Sequence, residues 1–498
     1  MNNKLEASSN SIIQSDTSKT HVISSLLWKF LERAGTQGVQ FVIQIILARI
    51  LCPEDYGILA ILMAFIALAN VFVQSGFNTS LIQKKDADEA DFSSVFWLSL
   101  FVSLLLYVIL FFAAPFIARF YKNGILTSVL RILSLTLFFG ALNSVQSAMV
   151  SKTMQFRKFF FSSMGGAIGS GIIGIILACN GFGVWALVFQ QLANNLLISV
   201  ILWITVKWRP RFVFSLEKVK NLFSFGWKIL SSNLMAVFVQ HIYNLFIGRF
   251  YSSSDLGIFT RGEQFPTLIA TNLDGSIQSV MLPTLSSHNE NVEDVKRLTR
   301  RFISTSCFCL FPCMFGMAAI AKNLVLILLT EKWLPCVPFL QLSCLYFAIW
   351  PIHTANLTAI NAMGRSDLYL KLEIIKQSIG VFVLFATLKI NLLAIVIGRV
   401  LFGFSAAFIN AYPNKKLLNY SYFEQFSDIF PLLLISLVMA VGVYFLNFLH
   451  LPAIIVLLIQ IVTGVLIYIF LSKLFRIEAF GYLIQTLNEF KQKRNSKC

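Results

Sequence analysis

The stretch WKFLERAGTQGVQFVIQIILARILCPEDYGI, from Trp28 to Ile58, returns about two hundred positions later as WKILSSNLMAVFVQHIYNLFIGRFYSSSDLGI, from Trp227 to Ile258. Trp28-Lys29 falls on Trp227-Lys228. After a one-residue slip, Gln40 and Gln44 fall on Gln240 and Asn244, and Arg49, Asp55, Gly57 and Ile58 on Arg249, Asp255, Gly257 and Ile258. Both copies lie in apolar segments long enough to cross a bilayer. A duplicated membrane unit is the common build of proteins that hold cargo between two halves and rock around it.

A spanning helix needs about 20 mostly apolar residues. Working outward from the repeat, such segments run roughly 24–50, 57–81, 93–117, 125–149, 160–180 and 183–206. A second set follows at roughly 223–250, 257–282, 302–321, 338–362, 370–390 and 391–411, and two more lie near 429–449 and 452–474. Six is even, so the second set enters the membrane in the same direction as the first. The expected fold is an all-α integral membrane protein of about fourteen transmembrane helices: two parallel six-helix lobes plus two C-terminal helices. The expected boundaries are a cytoplasmic tail over 1–23, lobes over 24–210 and 211–420, a last helix pair over 421–475 and a basic tail over 476–498. The weakest segment is 257–282, which holds Arg261, Glu263, Pro266 and Asp274 and is supported by the repeat rather than by hydropathy. Polar helices in a bundle face a cavity more often than lipid.

Composition agrees. A chain of 498 residues that is 57% hydrophobic and only 13% charged is not a soluble domain, and its 49 Phe suit lipid-facing helices. The polar start, Met1 to Thr20, lacks the apolar core of a secretory signal, so the first helix is expected to be retained. A net charge of +17 could suggest nucleic acid, but the basic residues cluster between alternate spans. They fall at Lys84/Lys85, Lys152/Arg157/Lys158, Lys207 to Lys220, Lys296 to Arg301, Arg365/Lys371, Lys415/Lys416 and the tail after Lys491. This positive-inside pattern puts both termini in the cytoplasm and leaves nucleic acid out.

The loops read structurally. Asp86, Asp88, Glu89 and Asp91 precede a helix and are expected to cap it. Gly165 and Gly169 have the spacing that lets helices approach closely. Phe475 to Lys497 reads as an interfacial helix or a ragged tail. The eight Cys form no framework and are expected to act as small hydrophobes. No nucleotide-binding, zinc-protease or nucleophile-elbow motif occurs, so no catalytic role, cofactor or metal is expected.

The informative residues are polar and lie inside the spans. Arg33, Gln37, Gln40 and Gln44 share one helical face, as do Asn70, Gln74 and Asn78. The second half carries Asn233, Gln240 and Asn244, then Asp274 and Gln278, with Gln74 matching Asp274 and Asn78 matching Gln278. Interhelical hydrogen bonds explain any one of them. A water-filled cavity explains stripes kept in register. Arg33, Arg131, Arg261 and Arg399 lie deep, and Arg261 replaces Ile61 of the first copy. Arg33 and Arg261 are therefore candidates for an anionic cargo group, although Arg261 could instead pair with Glu263 or Asp274. Among the few membrane acids, Glu32, Glu263, Asp274 and Glu373, Asp274 is the candidate for ion coupling.

Several runs carry a resemblance. They are Leu47-Ala48-Arg49-Ile50-Leu51, Pro53-Glu54-Asp55-Tyr56-Gly57, Gln74-Ser75-Gly76-Phe77, Leu81 to Lys85, and Phe96-Trp97. Met154 to Lys158, Gly181 to Leu187 and Gly364-Arg365-Ser366-Asp367 continue it. In order and spacing the chain resembles the Wzx-type, colanic-acid-exporter-like flippases of the multidrug/oligosaccharidyl-lipid/polysaccharide superfamily. The resemblance implies a flippase of the bacterial inner membrane that moves undecaprenyl-pyrophosphate-linked oligosaccharide for surface polysaccharide synthesis. It also implies membrane lipids, and a polymerase and chain-length regulator of the same pathway, as partners. The alternatives are a small-molecule exporter of the same superfamily, or a membrane glycosyltransferase or polymerase.

Overall fold

The computed structural model describes residues 19–74, 81 and 88–495. Every regular element among them is helical. The series opens with α1 (Lys19–Ile50), α2 (Pro53–Gln74), α3 (Glu89–Phe120), α4 (Ile125–Leu133), α5 (Thr136–Lys152), α6 (Phe156–Cys179) and α7 (Val184–Thr205). It continues with α8 (Leu216–Phe250), α9 (Ser253–Ser286), α10 (Val292–Leu328), α11 (Val337–Ala348), α12 (Trp350–Ala362), α13 (Ser366–Thr387) and α14 (Leu392–Ala411). A short α15 (Asn414–Leu417) precedes α16 (Tyr422–Phe445), α17 (Ala453–Leu474) and α18 (Glu478–Asn495).

Ten spans among the described residues are long and apolar enough to cross a membrane, with α4–α5 and α11–α12 each counting as one. The chain is thus an all-α, multi-pass membrane protein. α1, α8, α9 and α13 coincide with four further expected segments but fall outside the ten. Three of these four carry the polar stripes. Side chains such as Phe101, Leu104 and Phe112 of α3 and Leu458, Val462 and Leu466 of α17 stand exposed, as lipid contact requires.

Two breaks show the repeat beyond sequence identity. α4 gives way to α5 where Ser134 Oγ donates to the Leu130 carbonyl at 2.6 Å and Thr136 Oγ1 to the Leu133 carbonyl at 2.7 Å. Such bonds compete with the backbone ladder and bend helices. In the second series α11 gives way to α12 at Ile349, just before Pro351, whose missing N–H interrupts the ladder. Each break falls in the fourth segment of its series.

The chain forms two compact units, one closing at Gly257 and the next opening at Ile258. In the first, α6 packs tightly on α7 through its glycines. A Cβ on Gly165, Gly166 or Gly169 would come within 2.7, 2.6 and 2.6 Å of Ile201, Ile198 and Leu197. The small-residue spacing read from the sequence therefore serves close packing. α1 lies against α6, with Trp28 on Phe160 and Gly171 against Ile43. α8 packs along α2 and α3 within this unit.

The two copies of the Asp-x-Gly turn keep the same local chemistry. Asp55 Oδ2 accepts from the Cys52 amide at 3.0 Å, and Asp255 Oδ2 from the Ser252 amide at 3.2 Å. The starts of α2 and α9 then cross at their glycines. A Cβ on Gly57 would lie 1.7 Å from the Ser253 carbonyl oxygen, and one on Gly257 would lie 1.8 Å from that of Pro53. The contact is reciprocal, as a duplicated element meeting itself requires.

Asp88 caps α3 in a full capping box with Asp91, at 2.8 and 3.1 Å, as the acidic turn predicts. Asp86, Lys84 and Lys85 lie outside the described residues. The connection after α7 is strapped onto α3. Ser93 and Ser94 hydroxyls each accept a backbone amide at 3.0 Å, from Arg211 and Ser215, and Trp97 Nε1 donates to the Arg211 carbonyl at 2.9 Å.

In the second unit α10 gathers α16 and α17, and α13 pairs with α14. The Phe475–Lys497 segment contributes the helix α18. Cys307, Cys336 and Cys344 are buried as small hydrophobes, whereas Cys52, Cys179 and Cys313 are exposed.

Candidate functional site

On α1, Arg33 and Gln40 are exposed and Gln37 and Gln44 half-buried. The face packed on α6 carries Glu32, Gly35 and Ile43 instead, with Ser163 Oγ donating to Glu32 Oε1 at 3.2 Å. The α1 stripe, with Arg33, Gln37 and Gln40, lies on an adjoining face of the helix. Its counterpart on α8 has Gln240 exposed and Asn233 and Asn244 half-buried. Arg33, Gln37, Gln40, Gln240 and Asn244 make no side-chain hydrogen bond among the described residues.

The stripe on α2 sits over α5. Gln74 Nε2 and Asn70 Oδ1 lie 2.9 and 3.0 Å from the Cβ position of Gly140, so both amides pack closely over this glycine. Asn78 lies outside the described residues. Asn70, Asn143 and Asn194, on α2, α5 and α7, each bury a side-chain oxygen that has no hydrogen-bond partner among the described residues. A buried polar atom left without a partner costs about 1–3 kcal/mol. The first unit thus holds hydrogen-bonding capacity that the described residues do not use.

The second unit resolves its stripe differently. Thr354 Oγ1 donates to Asp274 Oδ1 at 2.7 Å, and one turn later Thr358 Oγ1 donates to Gln278 Oε1. Asp274 and Gln278 are half-buried and bind α12 to α9. These two bonds join α9 to α12 through the stripe itself.

The deep arginines separate into different roles. Arg131 Nε donates to the Phe111 carbonyl at 3.2 Å and the guanidinium lies 4.0 Å from that ring's centre. Arg399 pairs with Glu263 at 2.5 Å and stacks on Tyr346. Arg261 is only 4% exposed, sits 5.6 Å from the Trp333 ring centre and hydrogen-bonds Gln264. Arg33 alone of the four stands exposed on a polar stripe.

The acids also sort. Glu32 pairs with Lys29 at 2.9 Å, Glu263 with Arg399, and Glu373 with Lys376 at 2.5 Å. Asp274 is the one of the four without a basic partner among the described residues.

Sequence reading missed a buried network in the second unit. Asn356 Nδ2 donates to Gln425 Oε1 at 2.8 Å, Asn414 Nδ2 to Asn356 Oδ1 at 2.6 Å, and Asn410 sits 3.2 Å from His353 Nδ1. All three asparagines are fully buried. The available signal was amides in otherwise apolar helices, spread over segments whose proximity the sequence does not give. At the α12–α13 turn, Gly364 adopts a φ of 73° and Arg365 forks onto Asp367 with two bonds of 3.0 Å. That guanidinium holds the Asp367 carboxyl down to about 2.

The chain matches 27% of positions over 318 residues with the succinoglycan biosynthesis transport protein ExoT of Rhizobium meliloti, covering 64% of each chain. It is 26% identical over 306 residues to the teichuronic acid biosynthesis protein TuaB of Bacillus subtilis, covering 60% of this chain and 62% of that one. The alignments thus span less than two thirds of either relative. Its fold is similar to that of the lipid II flippase MurJ, with a TM-score of 0.72 and 16% identity over 91% of this chain and 98% of the other. It is also similar to an inward-facing MATE transporter of the MOP superfamily, with a TM-score of 0.59 and 16% identity over 77% and 94%. The profile of the polysaccharide biosynthesis protein family matches residues 46–338, more than half of the sequence, and the chain belongs to that family.

Proposed function

We propose that the protein is a flippase that moves undecaprenyl-pyrophosphate-linked oligosaccharide units across the bacterial inner membrane by alternating access. It acts without chemistry of its own and supplies surface polysaccharide synthesis. The observation that carries this reading is the α1 stripe: an exposed arginine followed by three glutamines on one face of a membrane helix. A sugar needs many neutral donors and acceptors, and a diphosphate needs a guanidinium, which can meet two of its oxygens at once. Gln74 and Asn78 on the next segment, and Gln240 and Asn244 on α8, extend the sugar-facing set. Arg261 is buried in this conformation, so a direct clasp on cargo by both arginines requires a second one. The ExoT, TuaB and MurJ names support the substrate class.

The test is export of lipid-linked glycan in cells carrying Arg33→Gln or Arg261→Gln at normal membrane abundance. Arg33→Gln should cut export by roughly 10- to 100-fold, the worth of charge-assisted hydrogen bonds. Lys should restore it only in part. Full export in both variants would remove the arginine clasp. Export of a small cationic compound with normal glycan flux would favour the small-molecule reading instead.

In the proposed topology all fourteen segments span, in two parallel lobes with both termini cytoplasmic. A polymerase and a chain-length regulator take over the cargo outside. Cysteines placed at Asn180 and Ser253 should be labelled from outside, and those at Lys84 and Lys218 should not. Labelling at Lys218 from outside overturns the topology.

Asp274 is proposed as the ion-coupling site, since it alone of the four acids has no basic partner among the described residues. Asp274→Asn should keep the Thr354 contact while uncoupling transport from the proton or sodium gradient. Unchanged gradient dependence in that variant removes the coupling role.

A further inference from the structure

The second unit has a half-open pocket of about 980 Å³ between the starts of α10 and α16 and the turn from α17 into α18. Four arginines reach it, Arg297, Arg300, Arg301 and Arg476, against the carboxylates Asp428 and Glu478. Asp428 is already committed: Arg300 bonds it at 2.6 Å and the Tyr420 hydroxyl donates to it at 2.8 Å. The Arg301 guanidinium lies over the ring of Tyr482 on α18, 3.3 Å from its centre, a contact that positions it at the pocket. Among the described residues Arg297 bonds the half-buried Asp294 and is itself 76% exposed.

The opposite wall is apolar. Leu432, Leu434 and Ile435 line it, and the face continues along α16 with Leu434, Val438 and Val441, about half exposed at 49, 49 and 54%. A site for a free anion has no use for such a wall. A phosphodiester with an acyl chain uses both. In the topology proposed above this end of the bundle faces the cytoplasm, where anionic lipids concentrate and basic pockets between helices hold their headgroups.

We propose that this pocket binds an anionic phospholipid of the inner leaflet, its phosphate held by Arg297 and Arg301 and one acyl chain laid along Leu434 and Val438. The site is separate from the α1 stripe and does not rest on the cargo reading. The bound lipid ties α18 to α10 and α16.

Native mass spectrometry of the full chain in neutral detergent tests this with phosphatidylglycerol, phosphatidylcholine and inorganic phosphate as probes. Phosphatidylglycerol should be retained and phosphatidylcholine lost, and millimolar phosphate should not displace the lipid. Arg297→Gln with Arg301→Gln should weaken retention roughly 30-fold, from the attraction expected of two basic side chains near an anionic surface. The paired Lys variant should keep most of it. Leu434→Trp changes no charge and fills the apolar wall, so it should also weaken retention. Equal retention of the two lipids, displacement by phosphate alone, or wild-type retention in both the Gln pair and Leu434→Trp overturns the proposal.

Discussion

Gly57→Val and Gly257→Val should each reduce glycan export to a small fraction of wild type, and Ala at either position should already be harmful. The added Cβ would meet a backbone carbonyl oxygen at 1.7 or 1.8 Å, and a backbone atom cannot rotate away as a side chain can. The starts of α2 and α9 must separate. Forcing extra atoms into a packed contact costs about 1–3 kcal/mol, and more where only backbone can move. Gly124 supplies the control, since nothing lies within 4 Å of its Cβ position and its φ is −65°. Membrane abundance, melting of the purified protein and export together check the result. If Gly57→Ala and Gly257→Ala behave like Gly124→Ala, the crossing is not a close contact in the working protein.

The second large effect concerns Glu263. Its carboxylate and the Arg399 guanidinium lie 2.5 Å apart, with side chains 20 and 16% exposed. Removing one partner leaves the other charge buried, which costs about 3–5 kcal/mol when burial is complete and somewhat less here. Glu263→Gln should therefore lower stability by about 2–4 kcal/mol. Combining it with Arg399→Met should recover much of the loss, because neutral side chains of similar volume need no counter-charge. A melting series of the two single variants and the pair reads this directly. Equal stability of Glu263→Gln and wild type would show that solvent already screens the pair.

These two predictions rest on opposite kinds of legibility. The Asp-x-Gly repeat was visible as letters, because identical local geometry demanded identical residues in both copies. Its reciprocal crossing was not, since the approach of two helix starts leaves no mark beyond the glycines. The polar stripes were legible because 3.6-residue periodicity survives in one sequence. Their fate was not. Asp274 and Gln278 are bonded by Thr354 and Thr358, and hydroxyls eighty positions away give no periodic signal. The same reason hid the Glu263–Arg399 pair and the Asn356–Gln425–Asn414 network. Helix existence followed from hydropathy, with α9 alone resting on the repeat, although α1, α8 and α13 are also more polar than the ten apolar spans.

The central claim is movement of a lipid-linked saccharide between leaflets, and accessibility of that lipid measures it most directly. Spheroplasts from cells depleted of the protein can be treated with a glycosidase or lectin that does not cross the membrane. Lipid-linked units should then accumulate and stay protected from the reagent, and restoring the wild-type chain should expose them while Arg33→Gln restores little. If the exposed fraction is the same with and without the protein, the chain does not flip this cargo.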